Sequence, residues 1–91
     1  MDLARSAVQS KLAASAQVHG PVASMFWHLE EFGEGEEWQV WLKTTAAQYP
    51  QLERHLIERH PWENPEVTAM PIVEGSAHYL EWLSRAAAPA A

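Results

Sequence analysis

Residues 59–66 read Arg-His-Pro-Trp-Glu-Asn-Pro-Glu, and they separate a segment with helical spacing from a segment with strand spacing. Each proline lacks a backbone N–H and restricts the residue before it, so helical geometry is disfavoured at His60 and Asn64. The stretch is therefore expected to be a stiff loop that can hold polar side chains for binding. In the simplest alternative, Pro61 and Pro65 only end a helix and begin a strand.

The segments on both sides of this loop predict the C-terminal half of the fold. Tyr49-Pro50 places a proline where a helix begins, and an apolar stripe runs from there to Arg59. After the loop, residues 67–74 have strand composition, and Pro71 confines that strand to a sheet edge or a bulge. Ser76 is a candidate cap for a last helix, and residues 86–91 are expected to fray.

The N-terminal half predicts a helix followed by a β-hairpin. Apolar residues recur at helical spacing over residues 2–14, and Asp2 suits the amino end of that helix. Gly20-Pro21 marks a break, after which residues 22–29 form a strand with two apolar faces and residues 32–35 supply a turn. A second strand follows over residues 36–45. Glutamates cluster near the turn, a pattern typical of a solvated hairpin end: Glu30, Glu31, Glu34, Glu36 and Glu37.

The predicted order of elements is helix, strand, strand, helix, strand, helix. This order matches an α+β, ferredoxin-like βαββαβ unit from which the first strand is absent and to which a C-terminal helix is added. All 91 residues are expected to form a single domain. The first strand of that architecture lies in the middle of the sheet, and its loss would leave backbone groups unpaired. We therefore expect a strand of about ten residues upstream of Met1.

Composition excludes several classes of function. A formal net charge of −6, with only six scattered Lys and Arg residues, argues against nucleic-acid binding. The chain has no cysteine, so it supplies no disulfide, thiolate ligand or thiol nucleophile. No apolar run reaches the roughly 18 residues of a membrane span, and residues 1–5 lack a signal-peptide pattern, so a cytoplasmic protein is expected. Five Trp, two Tyr and two Phe exceed the needs of a small core and favour an oligomer.

The five histidines are the candidate nitrogen ligands: His19, His28, His55, His60 and His78. His55 and His60 are five residues apart and do not share a helix face, so no metal motif closes within the chain. His60 is the best candidate because Pro61 restricts its backbone and because Glu63 and Glu66 lie nearby in sequence.

The remaining histidines and the other polar residues predict no catalysis. His28 is expected in a core or an interface, and His55 and His78 are expected at solvated helix positions. The sequence has no glycine-flanked serine elbow and no glycine-rich phosphate loop entering a helix. An enzyme is therefore not predicted.

Six stretches, in order along the chain, resemble the CutA family of divalent-cation tolerance proteins. They are Lys11-Leu12-Ala13-Ala14, the run from Glu37 to Lys43-Thr44-Thr45, His60-Pro61-Trp62, Pro65-Glu66-Val67, Met70-Pro71-Ile72 and Tyr79-Leu80-Glu81-Trp82-Leu83. The resemblance covers nearly the whole chain. It implies a ferredoxin-like subunit, similar to the PII signalling proteins, that assembles as a homotrimer with long strands paired between neighbouring subunits.

The same resemblance implies a cytoplasmic, non-enzymatic protein of tolerance to copper and other divalent metals. Cysteines that contribute to copper binding in some members are missing here, so only nitrogen and oxygen ligands remain. These suit copper(II) or zinc better than copper(I). Arg59 stands where some members have the first of two adjacent histidines, which leaves His60 alone.

These considerations predict a weak divalent-metal site at His60 and Glu66, near a subunit boundary and not required for folding. The alternative is a PII-like regulatory trimer that binds a small ligand in intersubunit clefts lined by Lys43, Trp62 and Glu66. An acylphosphatase-like hydrolase on the same fold lacks support, because the chain has no phosphate-binding loop with an arginine.

Overall fold

The computed structural model describes residues 2–62 and 64–88, and these residues form an α+β fold. The elements follow the order α1 (Asp2–Gln9), β1 (Ser15–His28), β2 (Glu31–Lys43), α2 (Tyr49–Arg59) and α3 (Ala77–Ala86). The order predicted from the sequence is thus confirmed except for its third strand. β1 and β2 form a two-stranded antiparallel sheet.

Helix α1 ends earlier than its apolar spacing predicts. The Ser10 hydroxyl donates to the carbonyl of Ser6 at 2.7 Å, and Lys11 adopts a left-handed backbone with a φ of 63°. A serine that bonds to the preceding turn and a left-handed residue are both typical of helix ends. The predicted helix over residues 2–14 therefore stops at Gln9, and Leu12 and Ala13 belong to a turn whose N–H groups bond back to the carbonyl of Ala7.

The hairpin is longer than predicted, and its turn lies elsewhere. Ser15 pairs with Lys43 at one end and His28 with Glu31 at the other. The turn is Leu29-Glu30, with φ values of 51° and 66°, rather than residues 32–35. Positive φ at both central residues is the geometry that two-residue hairpin turns require, because its twist matches that of the strands.

The predicted break at Gly20-Pro21 is a bulge inside one continuous strand. The register shifts between His19 and Val22, and the Gly20-Pro21 peptide bond is cis. Gly20 has a φ of 155°, and the Trp38 indole of β2 covers it so closely that a Cβ would lie 2.7 Å from a ring carbon. Glycine is required here by both the backbone geometry and the packing.

Helix α2 matches its sequence signals at both ends. Pro50 stands in its first turn, and His60 leaves the helix with an extended ψ of 139°. The His60 N–H still donates to the carbonyl of Leu56, at 3.0 Å. Pro61 follows directly and disfavours helical geometry at His60, which explains the sharp end.

The predicted third strand, residues 67–74, is wrong for this chain on its own. Residues 65–76 are assigned to no helix or strand, although Ser76 has the extended backbone of a helix N-cap. Two strands alone make up the sheet of the described residues, so the segment has no ladder to join. The Ser76 side chain makes no capping hydrogen bond, contrary to its predicted role. Helix α3 ends at Ala86 and Ala87 is buried, whereas residues 89–91 of the predicted tail lie outside the described ranges.

The hydrophobic core of the described residues is small, and its members are aliphatic. Ala7, Ala13 and Leu52 are buried together, with partly buried apolar residues packed around them: Val8, Leu12, Leu42 and Leu56. The core therefore joins α1, the turn after it, the end of β2 and α2. Large apolar side chains elsewhere, most of them on the hairpin, are exposed.

The Gly20–Trp38 contact predicts that Gly20→Ala destabilises the fold by about 1–3 kcal/mol, because the Cβ strains the backbone and displaces the indole. Gly35→Ala is the matched control, since no atom lies within 4 Å of a Cβ placed there. Urea unfolding of both variants measures the difference. Equal stability of the two would contradict the assigned packing.

Candidate functional site

The predicted metal ligand His60 lies where α2 ends, and its side chain is fixed by the loop that follows. The backbone N–H of Trp62 donates to His60 Nδ1 at 3.0 Å. The two rings meet edge to face, with centroids 5.0 Å apart and planes at 65°. Trp62 itself is 58% exposed, so this pair presents an aromatic surface at the end of the helix.

This hydrogen bond determines which nitrogen of His60 is available to a cation. Because Nδ1 accepts from a backbone N–H, the neutral ring carries its proton on Nε2. Coordination through Nε2 requires that proton to move to Nδ1, which breaks the bond to Trp62. A metal-bound histidine normally donates its second N–H to an acceptor, so the local arrangement opposes strong binding at His60.

The carboxylates considered for the site follow His60 in the chain. Glu66 is exposed on the extended segment after the loop, and Glu63 lies outside the described residues. Across residues 2–62 and 64–88, no group of three or more His, Cys, Asp or Glu side chains is placed to hold a metal ion.

Lys43 and Trp62, the predicted lining of a cleft between subunits, lie on different elements of the chain. Lys43 ends β2, and its Nζ donates to the Gln17 side-chain carbonyl at 3.5 Å. An open groove of about 590 Å³ runs along the outer face of α2, but neither Lys43 nor Trp62 lines it. Its lining residues are Tyr49, Pro50, Glu53, Arg54, Ile57 and Glu58.

His55 is engaged in hydrogen bonds, although its sequence position predicts a solvated side chain. Its Nε2 lies 2.9 Å from the Ser6 hydroxyl on α1, and its Nδ1 accepts from Arg59 Nε at 3.2 Å. Ser6 is 49 residues away in sequence, so no local pattern could reveal this contact. The spacing of four between His55 and Arg59 on one helix was the only available signal.

The Ser6–His55 pair resembles a nucleophile and its base, but its hydrogen bonds run in the wrong direction. Arg59 can only donate, so His55 Nδ1 is unprotonated and Nε2–H donates to Ser6. The Ser6 hydroxyl in turn donates to the carbonyl of Leu3 at 2.9 Å. A base for serine needs a free Nε2 lone pair and an acceptor at Nδ1, and this pair has neither.

The residues Lys43-Thr44-Thr45, which carry part of the family resemblance, hold the chain together at the base of the hairpin. The Thr44 hydroxyl donates to the carbonyl of Leu12 at 2.6 Å, and the Thr45 hydroxyl accepts from the backbone N–H of Gln48 at 3.2 Å. Gln48, only 2% exposed, donates through its side chain to the carbonyl of Lys11 at 3.0 Å. These bonds fix the turn after α1 against the start of α2.

The most extensive exposed feature is the apolar surface of the hairpin. We call this set the hairpin patch: Met25, Phe26, Trp27, Leu29, Phe32, Trp38, Val40 and Trp41. Trp27 is 75% and Leu29 84% exposed, and Trp27 packs edge to face against Phe32 with centroids 5.9 Å apart. No Lys or Arg lies between Lys11 and Lys43, so glutamates are the charged residues of this part of the chain. His28, predicted for a core or an interface, is exposed at the far end of β1 rather than in a core.

Comparison with known proteins places this arrangement in a family. A model of the CutA1 divalent ion tolerance protein matches residues 1–86. The chain belongs to the CutA1 family. Among its relatives, the divalent-cation tolerance protein CutA of Thermus thermophilus is 33% identical over 81 residues, which cover 89% of this chain and 79% of that protein. The Escherichia coli protein of the same name is 32% identical over 83 residues, covering 91% and 74%.

Solved CutA1 structures share the fold. The Oryza sativa CutA1 structure superposes with a TM-score of 0.92 at 30% identity, over 98% of this chain and 82% of that one. The Thermus thermophilus structure gives a TM-score of 0.87 over 90% and 80%. The α+β, ferredoxin-like class predicted from the sequence is thereby confirmed. No helix in the described part of the chain is long and apolar enough to cross a membrane.

The Thr44–Leu12 hydrogen bond predicts a structural role for this CutA1 motif. Thr44→Val keeps the shape of the side chain but leaves the Leu12 carbonyl without its donor, and we expect a loss of about 1–2 kcal/mol in the free energy of unfolding. Thr68→Val is the control, because Thr68 is exposed on the segment without a ladder. A stability loss that is equal in both variants would show that the bond contributes nothing specific.

Proposed function

We propose that this chain acts without catalysis in tolerance of divalent cations, copper included, as a homotrimer. Membership of the CutA1 family supports the cation-tolerance role. The main observation in favour of a trimer is the hairpin patch, whose side chains are exposed to solvent in a single chain. A cytoplasmic location remains a prediction from the sequence.

The chemistry of the hairpin patch supports burial against other copies. Tryptophan is the residue type most enriched at the energetic centres of interfaces, and the patch contains Trp27, Trp38 and Trp41. Apolar residues exposed singly are normal on a monomer, whereas a cluster of large ones on one hairpin is typical of an interaction surface. Burying each large side chain contributes about 1.5–3 kcal/mol, a large gain for a subunit whose own core is small.

Free backbone groups support strand pairing between subunits. Both outer edges of the β1–β2 sheet lack a neighbouring strand among the described residues. Met70, Ile72 and Val73 are exposed on residues 65–76. This segment has the composition of a strand but pairs with no strand in the single chain. An edge and a strand-forming segment on different copies satisfy each other's donors and acceptors.

In the same proposal a divalent cation is bound weakly, with His60 and Glu66 as this chain's contribution and the remaining ligands from neighbouring subunits. Imidazole and carboxylate ligands suit copper(II) and zinc. The His60 Nδ1 bond to Trp62 keeps the affinity low, since binding at Nε2 sacrifices that bond. Absence of a base at the Ser6–His55 pair supports the non-enzymatic part.

The proposed trimer is tested by measuring the molecular mass of the protein in solution. We expect sedimentation or light scattering to give three times the chain mass for the wild type, and a single chain mass for Trp27→Glu, because a carboxylate in a buried apolar contact is strongly unfavourable. Ile57→Glu on α2 is the control, since Ile57 is also exposed but lies outside the hairpin patch. Circular dichroism verifies that both variants fold. A wild type that sediments as a single chain at micromolar concentration overturns the trimer.

The cation site is tested by calorimetric titration of the assembled protein with copper(II) and zinc. We expect His60→Ala and Glu66→Gln each to lower the affinity, since each removes a ligand. His78→Ala, which changes an exposed histidine on α3, is expected to leave it unchanged. If all four proteins bind the metals equally, His60 and Glu66 are not ligands.

A further inference from the structure

His55 in its neutral form takes part in a directed chain of hydrogen bonds that links α2 to α1. Arg59 donates from Nε to Nδ1 at 3.2 Å, His55 Nε2–H donates to the Ser6 hydroxyl at 2.9 Å, and Ser6 donates to the carbonyl of Leu3 at 2.9 Å. This chain of donors and acceptors runs from the last residue of α2 to the first turn of α1. Each of these three hydrogen bonds contains one donated proton, and the bond between Arg59 and His55 Nδ1 cannot accommodate a second.

Protonation of the imidazole places a second proton in the link to Arg59. Nδ1–H and Nε–H then point at each other, and both groups carry positive charge, so the arginine must move away. The link to Ser6 survives, because Nε2–H donates in both charge states. Acid therefore breaks one end of the chain selectively.

We propose that His55 is an acid-sensitive latch between α1 and the end of α2, which holds Arg59 when the imidazole is neutral and releases it when the imidazole is protonated. This inference goes beyond the proposed role in cation tolerance and does not depend on it. Arg59 is followed directly by His60, so release of its side chain loosens the start of the loop that carries His60 and Trp62.

The surroundings of His55 favour its neutral form. Partial burial lowers the pKa of His55 first, the Arg59 guanidinium lowers it further, and Glu58 raises it. From α1, the contacting group is the uncharged Ser6, and the charged residues of that helix, Asp2 and Arg5, pair with each other at 3.3 Å. Arg59 is thus the charge that the latch engages.

The sign of the pH effect follows from this lowered pKa. The unfolded chain binds a proton at His55 at higher pH than the folded chain does, so folding stability from this group is complete above the ordinary histidine pKa of about 6.5. That stability is lost as the pH falls through the lowered folded value. We expect acidification from pH 7.5 to 5.5 to lower the thermal midpoint more in the wild type than in His55→Gln.

The latch itself is tested by NMR titration of the imidazole in the intact protein. Long-range proton–nitrogen spectra at pH 7.5 are expected to show the Nε2–H tautomer of His55. In Arg59→Met, which removes the donor and the charge, we expect the His55 titration midpoint to move to higher pH. Arg54→Met is the control, because it removes another exposed α2 arginine that makes no hydrogen bond to His55 among the described residues.

Ser6→Ala separates the latch from simple packing. Since the Ser6 link persists in both charge states, this variant should lower stability at every pH without changing the dependence on pH. The proposal is overturned if the wild type shows the Nδ1–H tautomer, or if Arg59→Met leaves the midpoint in place. An equal shift of the His55 titration midpoint in Arg54→Met also overturns the proposal. The shift would then come from the loss of any nearby positive charge and not from the loss of the Arg59 hydrogen bond.

Discussion

The β1–β2 hairpin exposes apolar side chains on both of its faces, and much of this structure depends on that single constraint. A two-stranded sheet cannot cover itself. In the part of the chain that the structure describes, the core cluster lies at one end of this sheet, between α1, α2 and the last residues of β2. The remainder carries tryptophans that a solitary chain holds in water. Such a hairpin gains stability only by burial against other surfaces. The hairpin patch is therefore the surface on which our proposal of a trimer depends.

A short set of hydrogen bonds connects that hairpin to the helices. Thr44 and Gln48 bind the carbonyls of Leu12 and Lys11, and the backbone N–H of Ala14 donates to the carbonyl of Lys43 at 2.7 Å. These bonds lie where the chain enters and leaves the hairpin. They give the two long strands a fixed direction relative to α1 and α2, which is what a repeated contact between identical subunits needs. Thr44 of the Lys43-Thr44-Thr45 motif thus contributes to this connection by bonding to a backbone carbonyl.

The end of α2 shows how hydrogen bonds restrict the chemistry of a histidine. His60 has one nitrogen occupied by the Trp62 N–H, and His55 has both nitrogens occupied by Arg59 and Ser6. The neutral ring of the first therefore carries its proton on Nε2, and the second has no free lone pair. Neither ring serves as a strong metal ligand or as a base for serine in a single chain. What distinguishes them is that His55 ties two helices together and His60 orders a loop.

The sequence by itself determined the class of the fold, the boundaries of α2, the start of α3 and the existence of a hairpin. These features depend on local signals: prolines at helix ends, apolar spacing and aromatic, branched strands. Local signals misplaced the end of α1 and the hairpin turn. There the decision came from left-handed residues without glycine, Lys11, Leu29 and Glu30, which the context imposes. The sequence predicted an irregularity at Gly20-Pro21 but not its type. The structure shows a bulge within one strand, where Gly20 packs against the Trp38 ring of the neighbouring strand.

Only the tertiary structure decided the rest. Residues 67–74 have the composition of a strand, yet composition supplies no ladder, and a strand exists only where another backbone lies beside it. The Ser6–His55 bond joins residues 49 positions apart, so no local sequence pattern predicts it. Helix ends can be predicted from local sequence because their hydrogen bonds join residues that are only a few positions apart. Sheet membership and the Ser6–His55 bond are decided by groups that are distant in sequence and are brought close only by folding.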